Sequence, residues 1–110
     1  MDCLFCKIIA GDIPSSKVYE DEKVFAFRDI NPQAPVHVLV VPKKHMKNIL
    51  ECDAETAAAL VNGVREVAKL EGLEADGFRI TSNCGKNGCQ SVDHLHIHVM
   101  GGAQLSEKMS

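Results

Sequence analysis

Three histidines, at positions 94, 96 and 98, stand in the segment VDHLHIHVM with one aliphatic residue between each pair. A β-strand turns successive side chains to opposite faces. An extended segment would therefore send Leu95, Ile97 and Val99 into a core. It would leave three imidazoles in a row, about 6.5–7 Å apart along the strand. A single strand histidine is ordinarily a surface residue or a satisfied core residue. Three at period two are different, because every desolvated imidazole needs a partner. Two chemistries suit the row. Neutral imidazole is a common metal ligand, and a histidine triplet could hold a catalytic zinc. Alternatively, one imidazole is a nucleophile or general base, largely neutral near pH 7 at its ordinary pKa of about 6.5. A nucleophilic imidazole attacking phosphorus needs an acceptor on its other nitrogen and donors around the phosphate.

The preceding loop, NCGKNGCQS, favours the second chemistry. It offers backbone N–H groups in a Gly-rich turn, the Asn83 and Gln90 amides and the Ser91 hydroxyl. Such a turn can form an anion-binding nest, although most Gly-rich loops are only turns. Near the other end of the chain, CLFC places Cys3 and Cys6 in a C-x2-C. A redox role for this pair usually accompanies a βαβ context, and the pattern has none. Two thiolates are half of a structural zinc site, whose other half must come from elsewhere. Cys52, Cys84 and Cys89 have no motif partners. Five cysteines, an odd number, suit free thiols or metal ligands in a reducing compartment better than a disulfide framework.

The elements that must position these groups fit one domain, residues 1–110. Hydrophobic content of 45% and charged content of 25% are those of a globular protein. A formal net charge of −3 argues against a nucleic-acid surface, so an anionic ligand must be met by local donors. The longest apolar run, VHVLVV, is too short to span a bilayer, and the acidic second residue does not suit a secretory signal. The expectation is a cytoplasmic protein without a membrane partner.

CKIIAG reads as a short helix stopped by Gly11 and Pro14. SKVYED and KVFAFRD read as two strands joined by a tight turn at Asp21 and Glu22, and NPQAP as a loop. VHVLVVP is a β-branched central strand ended by Pro42. A long helix follows Asp53, an N-cap, and its stripe of Ala57, Leu60, Val61, Val64, Val67 and Ala68 recurs at i, i+3, i+4. Gly72 suits its stop. FRITSN and HLHIHVM supply the last strands. The order indicates an α+β fold, with an antiparallel sheet of about five strands covered by one long helix and carrying a short N-terminal helix.

QSVDHLHIHVM resembles the His-x-His-x-His pattern of the histidine-triad (HIT) superfamily, and FAFRDINPQAPVHVLVVPKKH is similar to its Hint-like nucleotide-binding branch. The resemblance runs from CLFCKIIAGDIPSSKVYED to HVMGG, nearly the whole chain. It implies a homodimeric α+β domain that binds purine nucleotides and cleaves a bond to their α-phosphate. His96 would be the nucleophile, forming a nucleotidyl-histidine that water then hydrolyses. His98 would lie by the phosphate and leaving group, and His37 would complete the cluster. Asn83, Gln90 and Ser91 would hold phosphate oxygens. Asp29 would accept from the ribose hydroxyls with Asn31 nearby, and Phe5, Ile8, Ile13, Phe27 and Ile30 would sandwich the base.

The resemblance also completes the metal site. Many bacterial members carry a Cys2His2 arrangement that would here combine Cys3 and Cys6 with His45 and His94. Four protein ligands leave no open position, so this zinc would be structural. The three histidines of the row would then do different jobs. Two departures bear on function. Cys89 stands where this branch often has glycine; it keeps the loop N–H, but a positive φ would be costly. The tail GGAQLSEKMS has no tryptophan, unlike eukaryotic Hint-like members, where the longer C-terminus helps to shape the leaving-group pocket. Lys43 and Lys44 read as solvated charges. The rival functions are a dinucleoside polyphosphate hydrolase or nucleotidyltransferase, a nucleotide-binding adaptor with incidental hydrolysis, and a zinc hydrolase using all three histidines.

Overall fold

A computed structural model describes residues 3–108. The elements in chain order are α1 (Leu4–Ala10), β1 (Lys17–Glu20), β2 (Val24–Arg28), β3 (Val36–Pro42), α2 (Ala54–Leu70), β4 (Arg79–Thr81) and β5 (Ile97–Gly101). A single turn of 3-10 helix at Ile49–Glu51, capped by the Asn48 side chain, was not anticipated from the sequence. The strands form one sheet in the order β1-β2-β3-β5-β4, with every neighbouring pair antiparallel. The expected α+β architecture is therefore present, and VHVLVVP is its central strand.

Both faces of the sheet are covered, which explains why β2 and β3 read as nearly continuous apolar runs. One face carries Val24, Ala26, Val38, Val40 and Val99 against Leu60, Val64, Val67 and Ala68 of α2. The opposite face carries Phe25, Phe27, Leu39 and Val41 against Phe5 and Ile8 of α1. The short N-terminal helix thus closes a second core. Gly11, with φ 84°, ends it in the left-handed conformation, and its N–H bonds back into the last turn.

The helical stripe differs from expectation at two positions: Ala57 is only half-buried, with Ala59 packing on the core instead, and Val61 turns outward. Val61 is 59% exposed, whereas Gly63 is buried between Leu60 and Val64. A Cβ on Gly63 would lie 3.1 Å from methyl carbons of both Val24 and Val40. The helix approaches the sheet through this glycine, so the buried stripe is centred there and Val61 turns outward. Asp53 occupies the N-cap position with extended backbone, but its carboxylate does not bond the helical amides.

The histidine row also departs from a continuous strand. Ladder pairing begins only at Ile97, so His94 to His96 precede β5. The alternation of faces nevertheless persists: Leu95 and Val99 are buried in the α2 core, with Ile97 packed against it. His94 and His96 meet Phe5 edge-on across the other face.

Cys89 has φ 59°, alone among the described non-glycine residues in being positive. The left-handed region costs an L-residue roughly 1–2 kcal/mol, partly offset on substitution by the greater chain entropy of glycine. A Cys89→Gly variant is expected to gain about 0.5–1 kcal/mol, or about 2–6 °C in thermal midpoint by differential scanning calorimetry.

Candidate active site

The register of β3 against β5 builds the centre of the site. Leu39 pairs with His98 and His37 with Met100, so His37 and His98 are diagonal neighbours on the α1 face. Their rings approach with His37 Nε2 2.9 Å from His98 Nδ1. The backbone N–H of Gln33, in the loop before β3, donates to His37 Nδ1 at 3.0 Å. An N–H beside Nδ1 fixes the tautomer: neutral His37 carries its proton on Nε2 and donates it to His98 Nδ1. Neutral His98 must then carry its own proton on Nε2. Burial pushes the pKa of His37 down against the pull of the nearby Asp29 carboxylate. Burial, reinforced by the adjacent His96 and His37, pushes that of His98 down to about 4. Both rings are therefore neutral at pH 7, as this hydrogen-bond chain requires.

His96 is 3% exposed, and its orientation is set by its own chain. Its Nδ1 lies 2.7 Å from the His94 carbonyl oxygen. A carbonyl only accepts, so Nδ1 carries the proton and Nε2 keeps a free lone pair. The His96 carbonyl is held in turn by the Ser82 hydroxyl at 2.8 Å, a contact with no signal in the sequence. His96 and His98 lie with ring centres 5.0 Å apart, and Phe5 packs edge-on against His96 at 5.1 Å. One imidazole thus offers a lone pair and its neighbour offers an N–H.

Both rings open onto a cavity of about 310 Å³. Phe5, Ile8, Ile13 and Phe27 wall it, joined by Leu39, and Ile30, 91% exposed, stands at its rim. Asp29, Asn31 and Ser91 also line it. The sequence readings of these residues thus converge on one concavity. Asp29 reaches two ways: Oδ1 accepts from the Asn31 N–H at 2.8 Å, and Oδ2 lies 3.4 Å from His37 Nε2.

Asn83, Cys89 and Gln90 are not part of the cavity lining. The Asn83 amide donates to the Gly88 carbonyl at 2.6 Å. Gln90 accepts from the Gly85 N–H and donates to the carbonyls of Lys47 and Val92. These side chains tie the Gly-rich loop to itself and to the segment after β3. Of the phosphate contacts anticipated from this loop, Ser91 alone borders the cavity.

His94 belongs to a different cluster. The ligand atoms of Cys3, Cys6, His45 and His94 all lie within 4.8 Å of one another. Cys3 Sγ is 3.3 Å and Cys6 Sγ 3.6 Å from His94 Nδ1; His45 Nδ1 is 3.3 Å from Cys6 Sγ and 3.2 Å from His94 Nδ1. A tetrahedral zinc about 2.3 Å from sulfur and about 2.0–2.1 Å from nitrogen implies N–N and N–S edges of about 3.3–3.6 Å. The donor set therefore fits zinc without rearrangement. His94 Nε2 lies 2.8 Å from the Pro42 carbonyl, which accepts its N–H and so leaves Nδ1 unprotonated and free to ligate. Asp29, His37 and His98 also bring potential ligand atoms within 4.8 Å. There, however, the Gln33 amide keeps the proton on His37 Nε2, so that atom is a donor and a poor ligand. The three row histidines do not converge on one point among the described residues, contrary to what a three-histidine zinc hydrolase needs. No helix among the described residues is long and apolar enough to cross a membrane.

Known proteins resemble this chain along nearly its whole length. Residues 10–105 match the HIT domain. The chain is 50% identical over 108 residues to a 14 kDa zinc-binding protein of Zea mays, covering 94% of this chain and 84% of the relative. It is 38% identical over 112 residues to the purine nucleoside phosphoramidase of Escherichia coli K12, covering 99% of this chain and 94% of that protein. A histidine triad protein from Clostridium difficile superposes with a TM-score of 0.93 at 45% identity, over 99% of this chain and 97% of the other. The paired imidazoles, their cavity and the separate Cys2His2 cluster thus sit on a fold and sequence shared from end to end with histidine-triad proteins, and this chain belongs to the HIT family.

Proposed function

We propose that the protein is a nucleotidyl hydrolase that cleaves the bond between the α-phosphorus of a purine nucleotide and its leaving group, with nucleoside phosphoramidates as the foremost substrates. The observation that carries this reading is the pair of opposite polarities at the cavity: a lone pair on His96 Nε2 beside an N–H on His98 Nε2. In the first displacement His96 Nε2 bonds to phosphorus as the phosphorus–nitrogen bond breaks, and the departing amine takes the proton of His98 Nε2. The positive charge developing on the His96 ring is relieved at Nδ1–H by the His94 carbonyl. The His98 N–H is placed to bond a phosphoryl oxygen or the leaving group. Water then displaces His96 from phosphorus, its oxygen bonding to phosphorus and its proton passing to His98 Nε2, which restores both rings.

The remaining lining suits the rest of a nucleotide. The apolar walls from Phe5, Ile8, Ile13 and Phe27 offer a slot for a flat base with few polar contacts to select its edge. Asp29 is a carboxylate acceptor at the mouth for a vicinal diol, with Asn31 beside it. Ser91 is a hydroxyl partner for phosphate, and Asn83, Cys89 and Gln90 serve by shaping the loop that presents it. Zinc held by Cys3, Cys6, His45 and His94 would lend only structure, because all four positions are taken by the protein. The same reading makes the chain a cytoplasmic homodimer. An exposed edge strand supports the association of two copies: β4 presents Ile80, with Phe78 beside it, to solvent.

The deciding experiment is rapid-quench mass spectrometry during turnover of an adenosine phosphoramidate. The expected result is an AMP adduct on the peptide containing His96 that forms and decays within the catalytic cycle. Turnover without an adduct, or an adduct on another residue, would overturn the reading.

A further inference from the structure

The single proton between His37 and its neighbours has more than one acceptor. Gln33 occupies His37 Nδ1 as a donor, so neutral His37 has one N–H, on Nε2. That N–H faces His98 Nδ1 at 2.9 Å and Asp29 Oδ2 at 3.4 Å. Among neutral and anionic acceptors the carboxylate draws more strongly at equal distance, so the longer contact still competes. The Asn31 N–H holds Oδ1, so the carboxylate stays at this distance, and what a ligand can change is how far Oδ2 accepts from His37. The loop from Asp29 to Pro35 therefore clamps His37 twice, with an amide on one nitrogen and a carboxylate near the other. The same carboxylate faces the cavity.

We propose that Asp29 is a positioning residue for the reaction as well as an acceptor for ribose: hydroxyls donating to Asp29 take up the acceptor capacity of Oδ2, commit the His37 Nε2–H to His98 Nδ1, and so lock His98 with its own N–H toward the phosphate. This inference rests on the nucleotide reading of the cavity. Occupancy of the sugar subsite is thereby sensed at the reacting end through one shared proton. The ribose hydroxyls then contribute to the rate of the chemical step, beyond contributing to affinity.

Two measurements test this. The first is the coupling across the N–H···N hydrogen bond between His37 Nε2 and His98 Nδ1, read by NMR on the full-length, 15N-histidine-labelled protein. In the ligand-free protein, Asp29→Ala should raise this coupling by removing the competing acceptor. In the wild type, AMP should raise it and 2′,3′-dideoxy-AMP should not. The second compares adenosine phosphoramidate with its 2′,3′-dideoxy analogue. In the wild type the dideoxy substrate should lose about tenfold in kcat in addition to any rise in KM. In Asp29→Ala the two substrates should share one kcat. A coupling insensitive to Asp29→Ala, or a dideoxy penalty confined to KM, would overturn the proposal. The two readings fail separately. A coupling that responds to AMP while no phosphoramidate is turned over sinks the reaction assignment alone. Turnover through a His96 adduct with an unresponsive coupling sinks the Asp29 role alone.

Discussion

Replacing His96 with asparagine is expected to reduce phosphoramidate turnover by at least about 10⁴-fold, the scale seen when a nucleophile that acts with a positioned partner is deleted. Asparagine suits the test because its Nδ2 can take the place of imidazole Nδ1. It can keep the hydrogen bond to the His94 carbonyl while supplying nothing where Nε2 was. Affinity for AMP should stay within about threefold, because a difference below ~1 kcal/mol is all that a lost lone pair costs a bound product. Stopped-flow turnover and calorimetric AMP titration read the two quantities on one preparation. Loss of both together would mean that the cavity collapsed, and thermal melting would show it. Retained turnover would place the chemistry elsewhere. The variant also separates the hydrolase from the nucleotide-binding adaptor, since an adaptor would keep its cellular role with His96→Asn and a hydrolase would lose it.

Loss of the Cys2His2 cluster is expected to have the largest effect on stability. The cluster joins three distant segments of the chain: the start of α1, with Cys3 at its N-cap and Cys6 in its first turn, His45 after β3, and His94 before β5. A Cys6→Ser variant, or the wild type after exhaustive chelation, should lose one zinc per chain by elemental analysis. The melting midpoint should fall by more than about 10 °C, since a loss of roughly 3 kcal/mol moves a domain of this size about that far. Turnover should fall as well, although a zinc closed in by four protein ligands would take no part in chemistry. The route is short: His94 supplies a ring nitrogen to the cluster and its carbonyl to His96 Nδ1, while Phe5, between Cys3 and Cys6, packs on the His96 ring. Without a metal, His94 would be held less firmly, and with it the carbonyl that accepts from His96 Nδ1. Activity unchanged after complete zinc removal would refute this linkage, and a purified protein holding well under one zinc per chain would refute the metal site.

Much of this architecture is written in local pattern. The apolar period of α2, the β-branched run of β3, the glycine after α1 and the punctuation by NPQAP are short-range signals, and the elements stand where those signals put them. The alternation in HLHIHVM also sorted the side chains correctly, sending Leu95 and Val99 to one core and the imidazoles to the other face. It did so even though ladder pairing starts only at Ile97, because side-chain alternation needs an extended backbone and not a paired one. Where local pattern failed, an approach between elements was responsible. Gly63 entered the buried stripe and Val61 left it because α2 closes on Val24 and Val40 at that point, a distance no helical period encodes.

The site divides in the same way. Residue types alone identified a cluster of imidazoles able to attack phosphorus, half of a metal site, and a Gly-rich loop beside the row. Family likeness distributed roles among them. Which nitrogen carries each proton was decided only in three dimensions, by the Gln33 amide on His37, the His94 carbonyl on His96 and the Pro42 carbonyl on His94. These partners are backbone groups, which every residue possesses and no side-chain pattern advertises. In the tertiary structure the Asn83 amide bonds a carbonyl of its own loop and the Gln90 amide bonds the Lys47 carbonyl, contacts that residue type alone does not reveal. A chain of amino acids specifies its chemistry as a set of possible donors and acceptors; packing chooses among them by bringing one particular carbonyl or amide within 3 Å of one ring nitrogen.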